Sequence, residues 1–409
     1  MRGLTTWVAA LILALALAMP KRDGVNHCIY RVQLGFGLTY AHNCDSSHIA
    51  RDARNLERYL AEPSPSRSRP VYIVAVAAIA HVLAPVLVPL AAVLKPLQAR
   101  AGDLLPFYLA GVVFNVAVVA LSFQALVRLV GAGGDVLTRA ALMGLIASYD
   151  LTLAWFWIPH QIPMNILAPL GGALAFVTGM RALHLSPGAL VLLGLATSAA
   201  CLTYGYCLVW PVAFVLGAGF GAVQSGRGNP AQLAVRIWPY AAAVCVPLLL
   251  WLGGFAIAGR EVAYEAQSVG QFTWPGEAIR SGTLIGEALW RLWRLAGTVT
   301  VFLGPWGWLM LAAAVGSGAA LRRYRPEVRV VSDPVLAGCL VTAVLMLGFN
   351  YLQGYHQARL LLFPLLLAQV AILRLLVRAG VPQAVPVVAA AVTVLQVLGG
   401  FLAPPTSME

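Results

Sequence analysis

The sequence predicts an all-α polytopic membrane protein with about eleven transmembrane helices. Three observations predict it. Of 409 residues, 60% are hydrophobic and 10% charged, against about 25% charged in a soluble domain. Mean hydropathy is +0.81. Apolar runs of about 18 to 25 residues, the length that spans a bilayer as a helix, recur along the chain. The short alternating segments of a β-barrel are not seen.

The runs fall at 4–20, 71–94, 105–127, 138–158, 164–180, 187–203, 205–223, 237–258, 296–320, 334–351, 359–377 and 383–403. The first resembles a signal segment, with Arg2 before an apolar core and Ala16-Leu17-Ala18 as a cleavage-like site. Arginines alternate along the rest. Arg322, Arg323, Arg325 and Arg329 mark one loop as cytoplasmic. Arg374 with Arg378, Arg227 with Arg236, Arg181, and Arg128 with Arg139 mark four others. The net charge of +12 is therefore an orienting signal, and nucleic acid is not an expected partner. The run 71–94 breaks this parity and contains Pro85 and Pro89, which end or kink helices. It reads as a bent, re-entrant or interface-lying pair of short helices. One transmembrane domain, 1–409, then carries a first outer region at 21–104 and a second at 259–295.

Polar chemistry concentrates in "YAHNCDSSHIARDARNLERYL", residues 40–60. Ile49, Ala53, Leu56 and Leu60 form one apolar stripe, so a short amphipathic helix lying on the bilayer is expected. Ser46 or Ser47 can cap it. Asp45 stands at or just before its first turn, where the helix dipole favours an ionised carboxylate. Capping alone accounts for an aspartate there. Asp150 lies within the apolar "LIASYDLTLAWFW", a costly place for a charge. His160 and Asn165 follow in the next turn, "IPHQIPMN". No Walker loop, GxSxG elbow or metal-type Cys/His spacing occurs, so no metal is expected.

The chain order, an apolar first helix, an outer loop with an Asp, "ARDARN" at 50–55 and then Arg69-Pro70-Val71-Tyr72, resembles the opening of the GT-C class of integral-membrane glycosyltransferases. The large outer loop 259–295 and the late "NYLQGYHQARLLLFPLLL", 350–367, are similar to features of that class. Two departures stand out: Ser46 follows Asp45 where the class often has Glu, and Leu360 stands where Tyr is usual. The resemblance implies a multi-pass protein of the cytoplasmic membrane with its active site facing outside. It implies sugar transfer from a polyprenyl-phosphate carrier, without cofactor, to a glycolipid, glycan or protein acceptor among the membrane lipids. Asp45 would be the general base. Arg359 would grip the leaving phosphate with His356 as partner, and Arg69 would sit at the basic-Pro-aromatic step. Tyr264, Glu265, Gln271 and Trp274 would bind the sugar, with Asp150 and His160 as further contacts. The competing reading is a transporter or lipid flippase using Asp150 at depth, for which paired broken helices would be expected.

Cys28 and Cys44 share the first outer loop. A bridge between them would close about sixteen residues and contribute roughly 3 kcal/mol. Intact-protein mass of material purified without reductant should drop by two hydrogens relative to the reduced form; two free thiols would reject the bridge.

Overall fold

The computed structural model describes residues 29–35, 38–62, 64–132, 134–149, 152, 155–156, 158–226, 229–260, 272–324, 333–354 and 360–402. The chain divides into two compact units, one formed by 1–167 with 381–409 and the other by 168–380.

In the first unit an antiparallel hairpin opens the described chain, with β1 (Ile29–Gly35) paired to β2 (Leu38–Asn43). It departs from an all-α chain, though β-branched and aromatic Ile29, Tyr30, Val32, Thr39 and Tyr40 suit a strand. Helix α1 (Cys44–Arg54) follows directly, so Ser46 and Ser47 lie inside its first turn and do not cap it. The expected single amphipathic helix is two: the backbone breaks at Asn55, which caps α2 (Leu56–Ala61) by accepting from Arg58 N–H at 2.9 Å. The expected stripe is broken with it. Ile49, Ala50 and Ala53 are buried, whereas Leu56 and Leu60 are exposed.

A 3-10 turn, Pro65–Ser68, leads into α3 (Pro70–Val82) and α4 (Ala84–Val93), which meet at an angle of 84°. Pro85 sits in the first turn of α4, where its missing N–H costs nothing. The bend read from 71–94 is thus present. Helix α1 packs its buried face against α3 and α6 (Leu105–Val130), which lies beyond α5 (Lys95–Ala101). The α1 face meets protein where a lipid surface was expected. Gly131, at φ 73°, ends α6 in the left-handed region that glycine adopts without penalty.

Helix α7 (Val136–Ala147) is capped by Asp135, whose carboxylate accepts from Thr138 N–H at 2.7 Å. It corrects the expected span 138–158, since the helix stops eleven residues early. Side chains replace the lost helical bonds. Thr152 Oγ1 donates to the Ile146 carbonyl at 2.6 Å, and Ser148 Oγ donates to Gln396 Oε1 at 2.7 Å on α16 (Ala384–Leu402). Helices α7 and α16 pack closely, with Thr393 seated over Gly144. The chain then turns into α8 (Met164–Gly179), within which the two units divide.

The second unit holds α9 (Pro187–Thr203), α10 (Val209–Gln224), α11 (Pro230–Ile257), α12 (Trp274–Arg280), α13 (Leu284–Tyr324), α14 (Pro334–Gln353) and α15 (Phe363–Arg378). Small residues set its tightest crossing. A side chain at Gly217 or Gly221 of α10 would strike the carbonyls of Phe176 and Met180, and one at Gly179 would strike that of Phe214. The GxxxG spacing of Gly217 and Gly221 allows this backbone approach. Helix α13 corrects the expected span 296–320: it begins at Leu284 and breaks at Gly304, φ 56°, before Pro305.

Among the described residues, five helical segments are long and apolar enough to cross a membrane, Gly102–Val130, Gly205–Gln224, Pro230–Ile257, Leu284–Tyr324 and Pro334–Gln353. The bent pair makes six if it counts as one span. Shorter apolar helices at Val136–Ala147, Met164–Gly179, Pro187–Thr203 and Ala384–Val397 add to a multi-pass membrane protein. The run 4–20 lies outside the described residues.

Asp333 is a fully buried charge of the second unit. Its side chain caps α14 through Val335 and Leu336 N–H, and pairs with Arg374 at 2.9 Å and Arg378 at 3.3 Å. Asp333→Asn keeps an acceptor for the cap and removes both ion pairs. Breaking a buried pair costs about 3 kcal/mol when the charge left behind is buried, and the partial exposure of Arg374 and Arg378 makes the cost smaller here. The thermal midpoint in detergent should therefore fall, whereas an unchanged midpoint would assign Asp333 to capping alone.

Candidate functional site

The first unit gathers polar side chains around the 3-10 turn. Pro65 starts that turn and Ser64 caps it, its hydroxyl accepting from Ser66 N–H at 3.1 Å. The same hydroxyl donates to Asp52 Oδ2 of α1 at 2.6 Å. From α2, Tyr59 OH donates to the Ser66 carbonyl at 3.1 Å. Arg69 N–H closes the turn on that carbonyl at 2.9 Å. The turn is thus held from both short helices, and it carries two arginines. Arg67 is only 3% exposed, and Arg69 is partly buried.

Opposite Arg69 lies the segment that left α7. With its amide oxygen turned to the guanidinium, Gln161 accepts from Arg69 Nη1 at 2.5 Å and Nε at 3.1 Å. Gln161 is itself almost fully buried. Asn115, in the middle of α6, holds this segment in place: its Nδ2 donates towards the carbonyls of Phe156 at 3.0 Å and Ile158 at 2.8 Å, with Trp155 at 3.4 Å. Pro159 fills the space where a side chain at Gly111 of α6 would stand, and Tyr72 OH reaches the same spot. His160 is buried, tilted against the Trp155 ring at 5.3 Å. Its Nδ1 accepts from Ile162 N–H at 3.2 Å, which puts the proton of the neutral ring on Nε2. Asn165, also buried, has no hydrogen-bond partner for either amide atom among the described residues. A hydroxyl-bearing ligand, both donor and acceptor, would satisfy such an amide.

Electrostatics follow from burial. Desolvation raises the Asp52 carboxyl above its ordinary 3.8, partly offset by hydrogen bonds from Ser64 and Ser66 and by the charges of His48 and Arg58. Burial, with the Asp52 charge, likewise raises the Tyr59 phenol, so it stays a donor at neutral pH.

Asp45 is the second residue of α1, in the same unit as Arg69, His160 and Gln161. Its side chain lies outside the described residues, as do Cys28, Asp150, Tyr264, Glu265, Gln271, His356 and Arg359. Trp274 belongs to the second unit. There it is buried, donates Nε1–H to the Leu352 carbonyl at 3.0 Å and meets Tyr351 edge-on. Sequence reasoning passed over Arg67, Gln161 and Asn115. The first two stand within two residues of the singled-out Arg69 and His160, and Asn115 is a lone amide in an apolar run. No family model, curated protein or solved structure matches the chain.

The raised Asp52 carboxyl has a definite sign. A carboxyl whose folded value exceeds its unfolded value adds stability below about 3.8 and loses it as pH rises through the folded value. Asp52→Asn keeps an acceptor for Ser64 and removes the titration. The stability difference between variant and wild type should therefore favour the variant increasingly from pH 4 upward. A pH-independent difference in thermal midpoint would contradict the burial effect.

Proposed function

We propose that the chain is an integral-membrane glycosyltransferase that moves a sugar from a polyprenyl-phosphate carrier to a hydroxyl of a cell-envelope acceptor. The observation that carries this reading is the basic 3-10 turn. In a chain with so few charges, Arg67 is buried and Arg69 is anchored to Gln161, in the unit whose α1 begins at Cys44-Asp45. A guanidinium presents a planar fork of donors, and a phosphate ester fits that fork. In this reading the protein has eleven spans, lies in the cytoplasmic membrane and works on its outer face.

The chemistry is a single displacement. The acceptor oxygen attacks the anomeric carbon, the bond from that carbon to the phosphate oxygen breaks, and polyprenyl phosphate leaves with the electron pair. Its departure leads, so the acceptor gives up its proton late, and a carboxylate at Asp45 suffices to take it. The anomeric centre inverts. Arg69, with Arg67 in the turn that it closes, compensates the charge growing on the phosphate. His160 Nε2–H and the Asn165 amide supply contacts for sugar hydroxyls.

Transfer measured in vitro with a panel of polyprenyl-phosphate sugars and membrane lipids tests this. Asp45→Asn should lose about 10²–10⁴-fold in rate with donor affinity retained. Arg69→Ala should weaken donor binding by roughly tenfold or more. An Asp45→Asn protein as active as wild type would leave Asp45 a first-turn residue of α1 with no part in the chemistry.

A further inference from the structure

The second unit contains a guanidinium fixed from three sides, with no acceptor at its outer edge among the described residues. Arg291 lies on the first half of α13. Its Cζ stands 4.7 Å above the ring of Trp274. Its Nε donates to Glu287 Oε2, one turn earlier, at 3.3 Å. The third support is Gly354, which ends α14 at φ 69°. A side chain there would occupy the place of Arg291 Nη1, so this glycine is needed for both its conformation and its lack of Cβ.

The supports are themselves braced. Trp274 is 5% exposed and tied to the Leu352 carbonyl, while Tyr351 OH donates to the Ala288 carbonyl at 3.1 Å. These bonds lock α12 and α13 onto the end of α14. Among the described residues none accepts a hydrogen bond from Arg291 Nη1 or Nη2, although the side chain is only 19% exposed. A held guanidinium with two free, coplanar donor groups loses little rotamer freedom on binding an oxyanion, which it can grip bidentately.

Its surroundings indicate which oxyanion. Trp290 and Trp293 flank Arg291 and are 50% and 78% exposed. Arg294 lies over Trp290 at 4.8 Å and Arg280 is exposed nearby in sequence on α12. Exposed tryptophans interleaved with arginines are typical of the level at which headgroups sit, where the abundant oxyanion is a phosphate ester. Glu287 engages Nε only and leaves the outer edge to a ligand.

We propose that Arg291, held by Trp274, Glu287 and Gly354, is a binding site for a phosphate ester. The site lies wholly within the second unit and does not depend on sugar transfer. The group could arrive on a membrane lipid or on a soluble molecule, and the probes separate the two.

Full-length protein in a non-ionic detergent is titrated with dihexanoyl phosphatidylglycerol, dihexanoylglycerol and inorganic phosphate, with binding followed by native mass spectrometry and calorimetry. Saturable binding of phosphatidylglycerol and none of dihexanoylglycerol is expected. Competition by inorganic phosphate would identify a site for the bare phosphoryl group, and lack of competition one for a lipid-borne phosphate; both support the proposal. Arg291→Lys keeps the charge and loses the fork, so affinity should fall roughly tenfold or more. Gly354→Ala should do the same, while Arg294→Lys should leave it unchanged. Equal binding of the two lipids by the wild-type protein, or undiminished affinity in a folded Arg291→Lys variant, would overturn the site.

Discussion

Backbone that leaves a helix inside an apolar protein must find partners for its carbonyls, since hydrocarbon offers none. The amide of Asn115 meets that constraint in the first unit. One side chain on α6 serves the carbonyls of Trp155, Phe156 and Ile158, and so permits the irregular backbone at 158–161 ahead of α8. His160 and Gln161 stand in that passage, and Gln161 is what Arg69 holds. Without the Asn115 bonds the unpaired carbonyls would favour continuing α7, and the polar cluster would have no floor.

The other wall of the cluster is built by the opposite strategy. Around Arg67 and Arg69 the chain is short-helical and is held by an amide, two hydroxyls and a carboxylate: Asn55, Ser64, Tyr59 and Asp52 each make a bond that a longer helix would not need. Hydroxyl and amide caps are cheap to bury because they carry no charge. The one acid among them is raised above its ordinary value by the same burial, and the bond from Ser64 offsets part of that rise.

Long apolar helices were legible from composition alone. The run 105–127 is α6 and 334–351 is α14, because in each case length, hydropathy and end signals agree: Gly131 stops one, and Asp333-Pro334 starts the other. The bend near Pro85 was legible for the same reason. What escaped the sequence depends on residues far apart. The early end of α7 is stabilised by Asn115 and Gln396, neither of which is near it in the chain. Arg374 and Arg378 read as orientation marks, and nothing in their own segment reveals that Asp333, more than 40 positions earlier, pairs with both. The stripe through Ile49 and Leu60 failed because Asn55 caps better than it continues a helix. At the site, Arg69 and His160 drew attention by type, whereas Gln161 became visible only through the bond that joins it to Arg69.

The break at Gly304 has a consequence for the depth at which the second unit can sit. A straight rod of the 41 residues in α13 would measure about 60 Å, twice the hydrocarbon thickness. It would thrust apolar Leu284, Ile285 or Ala319, Ala320 far into water. Divided at Gly304, each half is about 30 Å, one bilayer thick. A single glycine with positive φ thus relieves a twofold length mismatch. It lets the half that carries the tryptophans and arginines choose its tilt independently of the half that ends at Arg322 and Arg323.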